Sequence, residues 1–404
     1  MARKYWVACH RYAGLVVMVL LLVNALTGSV LAFAHEIDAW LNPGLMRTGH
    51  VLPSLPVDAL IERVETANPR FRVSQVPLDV DVGESAELRV APRIDPGTGK
   101  PHVLGFDRVF VDPATADVLG QRQWGALKID RVHLMSFLDV LHRKFHLPGQ
   151  WGMWLTGGMA IVWLLLSLVG AWLTLPKLAT WRSGFWRRWR PAWQIKRGAS
   201  PVRTTLDLHR AAGLWSLPVA IVLAISGVYF NLGNEVFRPM VQWFSPITPH
   251  PVQSLPKRAG MPIPPAFSTQ AAVDRARAYL APEAQAFLPW YASHIPQLGS
   301  YRIAFKEDGM RERLLRLRYE QIFIDDRTGE LQGMSGYDSG SAADRFLIWQ
   351  YPLHTGRILG WWGRVLVCVA GVITALLCVT GLAVWWHRRG SRRGPEGIRY
   401  KLKL

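Results

Sequence analysis

The sequence predicts a membrane α-helical bundle of four transmembrane helices with two external α+β domains, built as a tandem internal repeat. Three observations predict this fold class. Half of the 404 residues are hydrophobic and 19 are Trp, a composition richer in apolar residues than that of an ordinary soluble chain. Four apolar stretches approach the roughly 20 residues that a bilayer core demands. Motifs of the first half recur in the same order in the second half, as a duplicated architecture requires.

The elements follow in order. Residues 1–34 hold the first span, with an apolar run from about Trp6 to Phe33. The run is long, and no small-residue cleavage site precedes His35-Glu36-Ile37-Asp38, so a retained helix is expected rather than a cleaved leader. Residues 35–141 mix charge with Pro, Gly and alternating apolar patterns and read as an external folded domain. Residues 142–176 hold the second span, apolar from Trp151 to Leu175. A basic loop at 177–205 carries Lys177, Arg182, Arg187, Arg188, Arg190, Lys196, Arg197 and Arg203. The third span, 206–233, is apolar from Leu214 to Leu232, with a kink expected at Pro218. A second external domain occupies 234–353, and the fourth span, 354–387, is apolar from Trp362 to Trp386. The tail, 388–404, is basic again, with Arg388, Arg389, Arg392, Arg393, Arg399, Lys401 and Lys403. Trp151, Trp154, Trp361, Trp362, Trp385 and Trp386 sit near span ends, where Trp anchors to the membrane interface.

The formal net charge is +18. The basic residues crowd beside the spans, Arg3 and Lys4 included, which marks cytoplasmic segments rather than a nucleic-acid surface. Both termini and the 177–205 loop are therefore expected in the cytoplasm, with the two domains outside. Cys9, Cys368 and Cys378 all lie in or beside apolar stretches, so the external regions contain no intrachain disulfide.

The repeat is specific. His10-Arg11-Tyr12-Ala13-Gly14 matches His209-Arg210-Ala211-Ala212-Gly213, and Gly28 falls against Gly227 at the same offset. Trp151-Gly152 and Gly170 correspond to Trp362-Gly363 and Gly381. Residues 109–120 and 322–333 are each an apolar strand, a turn built on Asp and Thr, and a second short strand. Two copies of helix, domain and helix in the same orientation imply a symmetry axis along the membrane normal.

These motifs, with Leu141-His142, Leu353-His354 and Leu41-Asn42-Pro43, resemble the PepSY-associated transmembrane family over nearly the whole chain. The external repeats resemble PepSY domains. The resemblance implies a multi-pass protein of the bacterial inner membrane. Family members include haem proteins that reduce ferric siderophores in the periplasm; other members are fused to flavin reductase domains, and this chain shows no such fusion.

The histidines sharpen that implication. An ionisable group near lipid is costly without a partner, and neutral imidazole is a common haem ligand. His10 and His209 occupy equivalent positions and form the expected inner pair; His142 and His354 form the expected outer pair. These four are the expected iron ligands, holding two b-type haems. His146, one turn from His142, can replace it, and His35 at the outer end of the first span can join either or hold a third haem. His387 lies at the inner end of the fourth span without a repeat partner. Arg11 and Arg210 follow the inner histidines and suit haem propionates, as Arg143 and Arg357 suit outer ones. His50, His102, His133, His250 and His294 lie outside the spans and read as surface residues. His10 and His35 are 25 residues apart, about 37 Å along a helix, which places the two ligand layers near opposite faces.

The function expected is a membrane-bound ferric or siderophore reductase. Electrons would come from a cytoplasmic flavoprotein or a quinol and pass to a ferric complex held beneath the external domains. No Rossmann glycine fingerprint, P-loop or catalytic serine motif occurs, so the donor is external, and no catalytic side chain is assigned. Trp349 and Tyr351 near the outer histidines read as interfacial anchors. The alternative is a membrane-anchored regulator that binds a peptide or protease and has no redox activity. A transporter for an iron complex fits less well with so few buried charges.

Overall fold

The computed structural model describes residues 2–176, 184–258, 263–309 and 318–390. Lys177, Arg182 and the tail residues Arg392, Arg393, Arg399, Lys401 and Lys403 lie outside the described residues.

The chain opens with α1 (Ala2–Leu31), which turns sharply into α2 (Ala34–Leu41) and α3 (Pro43–Met46). After α4 (Val57–Ala67) come β1 (Phe71–Pro77), β2 (Ala86–Pro92), β3 (Arg108–Val111) and β4 (Val118–Arg122). The short α5 (Leu134–Lys144) leads into α6 (Trp151–Thr174), and α7 (Phe185–Trp189) precedes α8 (Pro201–Asn231). The second half continues with α9 (Arg238–Val241), α10 (Pro251–Ser254) and α11 (Thr269–Arg277). It then forms β5 (Leu288–Ile295), β6 (Ser300–Lys306), β7 (Tyr319–Asp325) and β8 (Leu331–Gly336). The described residues end with α12 (Ala342–Thr355) and α13 (Gly360–Gly390).

α1, α6, α8 and α13 are long and apolar enough to cross a membrane, and the protein is a multi-pass membrane protein. α1 packs between α6 and α13, and so does α8, so α1 and α8 face each other diagonally across the bundle. α8 starts well before the apolar run because Pro201 suits a first helical turn, and the helix passes through Pro218. Its early turns bury Asp207, which holds Arg203 at 2.9 Å and Arg210 at 2.8 Å.

The strands form one antiparallel sheet, ordered β4-β3-β2-β1-β5-β6-β7-β8. Where the sequence suggests two separate domains, β1 and β5 pair through Gln75↔Ser293, Val76↔Ala292 and Pro77↔Tyr291, and the sheet is continuous. The physical reason is that each half alone would leave a central edge strand with unpaired backbone groups. α4 and α11 pack on one face over Leu60, Val64, Phe71, Leu88, Ile303 and Phe305, all buried. On the other face, α3 lies on β4 and α10 on β8. A Cβ on Gly120 would come within 2.5 Å of a Leu45 methyl, which a turn of that side chain relieves, and one on Gly333 within 2.7 Å of the stiff Pro251 ring, so the close approach of α10 favours glycine at 333. Arg122 of β4 reaches Asp38 of α2 in a two-pronged ion pair of 2.7 and 2.9 Å, both side chains buried. The sheet is thereby clamped to the helix that continues the first span.

α5 and α12 lie at the sheet-proximal end of the bundle, α5 against α1 and α6, α12 against α8 and α13. α12 begins with a reciprocal cap. Ser341 Oγ accepts from the Asp344 amide and the Asp344 carboxylate accepts from the Ser341 amide, satisfying two orphan donors. At the opposite, sheet-distal end, Trp189, Trp193 and Trp215 stack edge to face.

Candidate functional site

The bundle brings four histidines together as two pairs. At the sheet-distal end, His10 of α1 and His209 of α8 face each other with ring centroids 6.4 Å apart. At the sheet-proximal end, His142 of α5 and His354 of α12 face each other at 6.2 Å. The layers are well separated. His142 meets α1 at Thr27, and His354 meets α8 at Ser226. Thr27 and Ser226 each lie 17 residues beyond the distal histidine on the same helix, about 26 Å at helical rise.

Glycines let these rings lie against neighbouring helices. A Cβ on Gly28 would stand 2.9 Å from His142 Cε1, one on Gly170 3.0 Å from His10 Cε1, and one on Gly381 3.4 Å from His209 Cε1.

Hydroxyls then fix the ring tautomers. Ser226 Oγ donates to Val222 O at 2.7 Å, Thr27 Oγ1 to Val23 O at 2.7 Å and Thr380 Oγ1 to Leu376 O at 2.7 Å. With its one proton committed, each hydroxyl can only accept from an imidazole. The imidazole atom in contact is Nδ1 in every case: His354 at 2.8 Å from Ser226, His142 at 3.1 Å from Thr27, and His209 at 3.0 Å from Thr380. His142 Nδ1 also lies 3.1 Å from the Asn24 carbonyl, a pure acceptor. Nδ1 is therefore protonated and Nε2 carries the lone pair, the arrangement in which an outer hydrogen bond orients a ligating imidazole. His10 departs from the pattern: among the described residues no hydroxyl reaches its buried Nδ1, and its ring has only the Leu166 carbonyl nearby, because Val169 stands where Thr380 stands in the second half.

The pairs fit an iron between them. A nitrogen ligand lies about 2.0 Å from a bound first-row metal, and its ring centroid about 1.1 Å farther, so two imidazoles across one metal have centroids roughly 6 Å apart. Among the described residues no three His, Cys, Asp or Glu side chains gather as a metal site. Two axial ligands without further protein ligands suit an iron already held by a porphyrin. Asn24 Oδ1, beside the proximal pair, is buried without a partner among the described residues, an orphan that a bound group or water would satisfy.

A family model described as the PepSY-associated TM region matches residues 7–388. The chain belongs to the PepSY-associated transmembrane family. No curated protein matches it.

In this PepSY-associated protein the other candidate ligands go elsewhere. His35 Nε2 lies 2.9 Å from Glu84, on the sheet side. His146 is carried past the end of α5 by left-handed backbone at Phe145 and His146, φ +52° and +55°. Its ring turns back to stack on Phe137, with Nε2 3.0 Å from the Phe137 carbonyl, so α5 offers His142 and not His146 to His354. His387 is exposed near the sheet-distal end of α13. Arg11 is half-buried beside His10, whereas Arg210 is engaged by Asp207 and the Pro191 carbonyl. Arg143 pairs with Asp139, and Arg357 lies over Tyr351. Outside the spans, His50, His133 and His294 pair with Asp112, Asp130 and Asp326.

Sequence reasoning passed over the supporting hydroxyls. Their signal is a hydroxyl residue directly before a repeat glycine: Thr27-Gly28, Ser226-Gly227 and Thr380-Gly381, with Val169-Gly170 as the exception.

Proposed function

We propose that this protein conducts electrons across a bacterial inner membrane and reduces a ferric, siderophore-like complex on the periplasmic side. One observation carries the reading: two facing histidine pairs, each spaced for a single iron, at opposite ends of one bundle. In this reading His10 and His209 hold a b-type haem near the cytoplasmic face, and His142 and His354 hold another near the periplasmic face. Bound there, each haem supplies a one-electron couple with no open coordination position for oxygen.

The chain's own residues supply the rest. At His142, His209 and His354 a hydroxyl holds Nδ1 and leaves the Nε2 lone pair free, and the apolar helices exclude water. Arg11 and Arg210, each directly after an inner histidine, would serve the propionates of that haem, Arg210 while held by Asp207 and the Pro191 carbonyl. The electrons come from a reduced cytoplasmic flavoprotein or from a quinol. Either gives two electrons and so serves two ferric ions, a quinol leaving as quinone with release of two protons.

The tandem repeat, its axis along the membrane normal, belongs to the same reading. It is supported by the strand order, which is mirrored about the β1–β5 seam, and by histidine pairs formed from equivalent positions. The basic segments at the sheet-distal end support placing that end and both termini in the cytoplasm.

The test is a reduced-minus-oxidised visible spectrum of the detergent-purified chain, with haem quantified per chain. A b-type spectrum at about two haems per chain is expected. A chain that stays colourless after expression with ample haem overturns the reading and leaves an anchored peptide- or protease-binding regulator in its place.

A further inference from the structure

The sheet face turned toward the bundle carries a polar row that the electron path does not use. Arg108, Arg89, Gln75, Ser293 and Arg302 stand opposite one another across neighbouring strands, and directly opposed residues of antiparallel strands share a face. α3 and α10 lie against the outermost strands of this face, with the central strands β2, β1, β5 and β6 between them. The bundle is near: α12, which packs on α8 and α13, also lies against β8.

The row is not charge-balanced. Arg108 pairs with Glu87 at 2.9 Å and Asp107 at 3.4 Å, and the neighbouring Lys306 pairs with Asp79. Arg89 makes no ion pair or side-chain hydrogen bond among the described residues. Arg302 reaches over the β1–β5 seam to Ser293 Oγ at 3.1 Å and Gln75 Oε1 at 3.4 Å. Both partners are neutral, and among the described residues Arg302 Nε is buried with no hydrogen-bond partner. Its guanidinium lies 5.3 Å from the centre of the Tyr291 ring. Arg89 is exposed, and the desolvation of its neighbourhood, then the charges of Arg108 and Arg302, hold its guanidinium below its ordinary range. Burial pushes the Tyr291 hydroxyl up, with Arg302 and Arg89 close by, so it stays a hydrogen-bond donor at neutral pH. Like charges gathered on one sheet face are destabilising, and an oxyanion between them reverses that cost, since guanidinium forks match carboxylates.

We propose that Arg89, Arg302 and the Tyr291 hydroxyl bind an oxyanion-bearing ferric chelate across the β1–β5 seam. The oxyanion rests on this geometry alone, and the iron it carries rests on the function proposed above. An anionic lipid headgroup presents the same chemistry, and the test separates the two.

Ferric citrate is titrated calorimetrically into the full chain in discs of zwitterionic lipid. The wild type binds, and Arg89→Gln and Arg302→Gln each weaken binding by at least ~10-fold, the scale of a lost charged hydrogen bond. Arg63→Gln, on α4 at the opposite face, changes nothing. Unchanged binding in Arg302→Gln with native melting overturns the site. If ferric citrate does not bind, and the arginine pair instead retains anionic lipid in anionic discs, the oxyanion is a headgroup and the chelate proposal falls. A visible spectrum of each sample keeps the two proposals apart. Colourless protein that binds ferric citrate keeps this site and sinks the haem reading, and haem-loaded protein that binds none does the reverse.

Discussion

His354 donates from Nδ1 to Ser226 Oγ across 2.8 Å, and the Ser226 proton is already committed to Val222. One short contact therefore decides which nitrogen of a buried ring stays free. The same device recurs at His142 with Thr27 and at His209 with Thr380, and is missing at His10.

Removing the hydroxyl tests its role. Ser226→Ala and Thr380→Val are expected to weaken haem retention at their own pair by about 10-fold, the lower end of such outer-contact losses in metal sites. The reverse change, Val169→Thr, gives His10 Nδ1 an acceptor and is expected to strengthen retention at the distal pair. Haem content during a chelating-protein competition reads both directions. Equal retention in all three variants would mean that the hydroxyls do not orient the rings.

The two pairs are predicted to be separable. His209→Ala and His354→Ala each remove one axial ligand, from layers about 26 Å apart. With the two haems proposed above, each variant is expected to fall from about two per chain to about one, with the remaining spectrum still that of a six-coordinate low-spin centre. His146→Ala and His35→Ala are expected to keep both haems, since their rings engage Phe137 and Glu84. Loss of a haem in His146→Ala with a native melting curve would contradict the assignment of His142.

Asp344 gives a pH signature at the root of α12. Burial alone would raise its carboxyl, but hydrogen bonds from Thr248 and Ser341 outweigh it and hold the group below its ordinary value. A carboxylate with a lowered folded pKa stabilises fully above its unfolded pKa of about 4, and that stabilisation is lost as pH falls from there through the folded value. Asp344→Asn is expected to cost about 1 kcal/mol near neutrality, as a lost cap does. Thermal unfolding followed by circular dichroism should show the gap to wild type closing as pH falls below about 4. A gap independent of pH would mean that the carboxylate charge contributes nothing.

The four spans and the histidine equivalence were legible because bilayer thickness and duplication both leave long-range marks in sequence. The choice between His142 and His146 was not, because it turns on two left-handed residues after α5, and Phe145 and His146 are not residue types that announce that conformation. The seam between β1 and β5 joins residues more than 200 positions apart, and local alternation carries no information about which edge strand meets which. α8 reached past its apolar run because Asp207 is buried with Arg203 and Arg210, a polar cluster that hydropathy counts as outside the span. The Arg89–Arg302 row was invisible for the same reason as the seam, since register across four strands places it.

The glycines beside the histidines give the sharpest steric test. Alanine in a helix interior is normally favoured over glycine by about 1 kcal/mol, so a neutral or stabilising effect is the ordinary expectation. At Gly28 the added methyl would meet His142 at 2.9 Å, closer than such contacts tolerate; at Gly170 it would meet His10 at 3.0 Å, so that ring must give by a few tenths of an ångström; at Gly381 it would meet His209 at an ordinary 3.4 Å. Gly28→Ala is thus expected to displace the proximal pair and Gly170→Ala the distal one, each lowering the haem held at that layer while the other is kept. Gly381→Ala is expected to keep both. Haem stoichiometry with a thermal melt decides the matter: full loading in Gly28→Ala would show that the His142 ring has room to move, and a loss in Gly381→Ala as large as in Gly170→Ala would show that the methyl acts through the helix rather than through the ring.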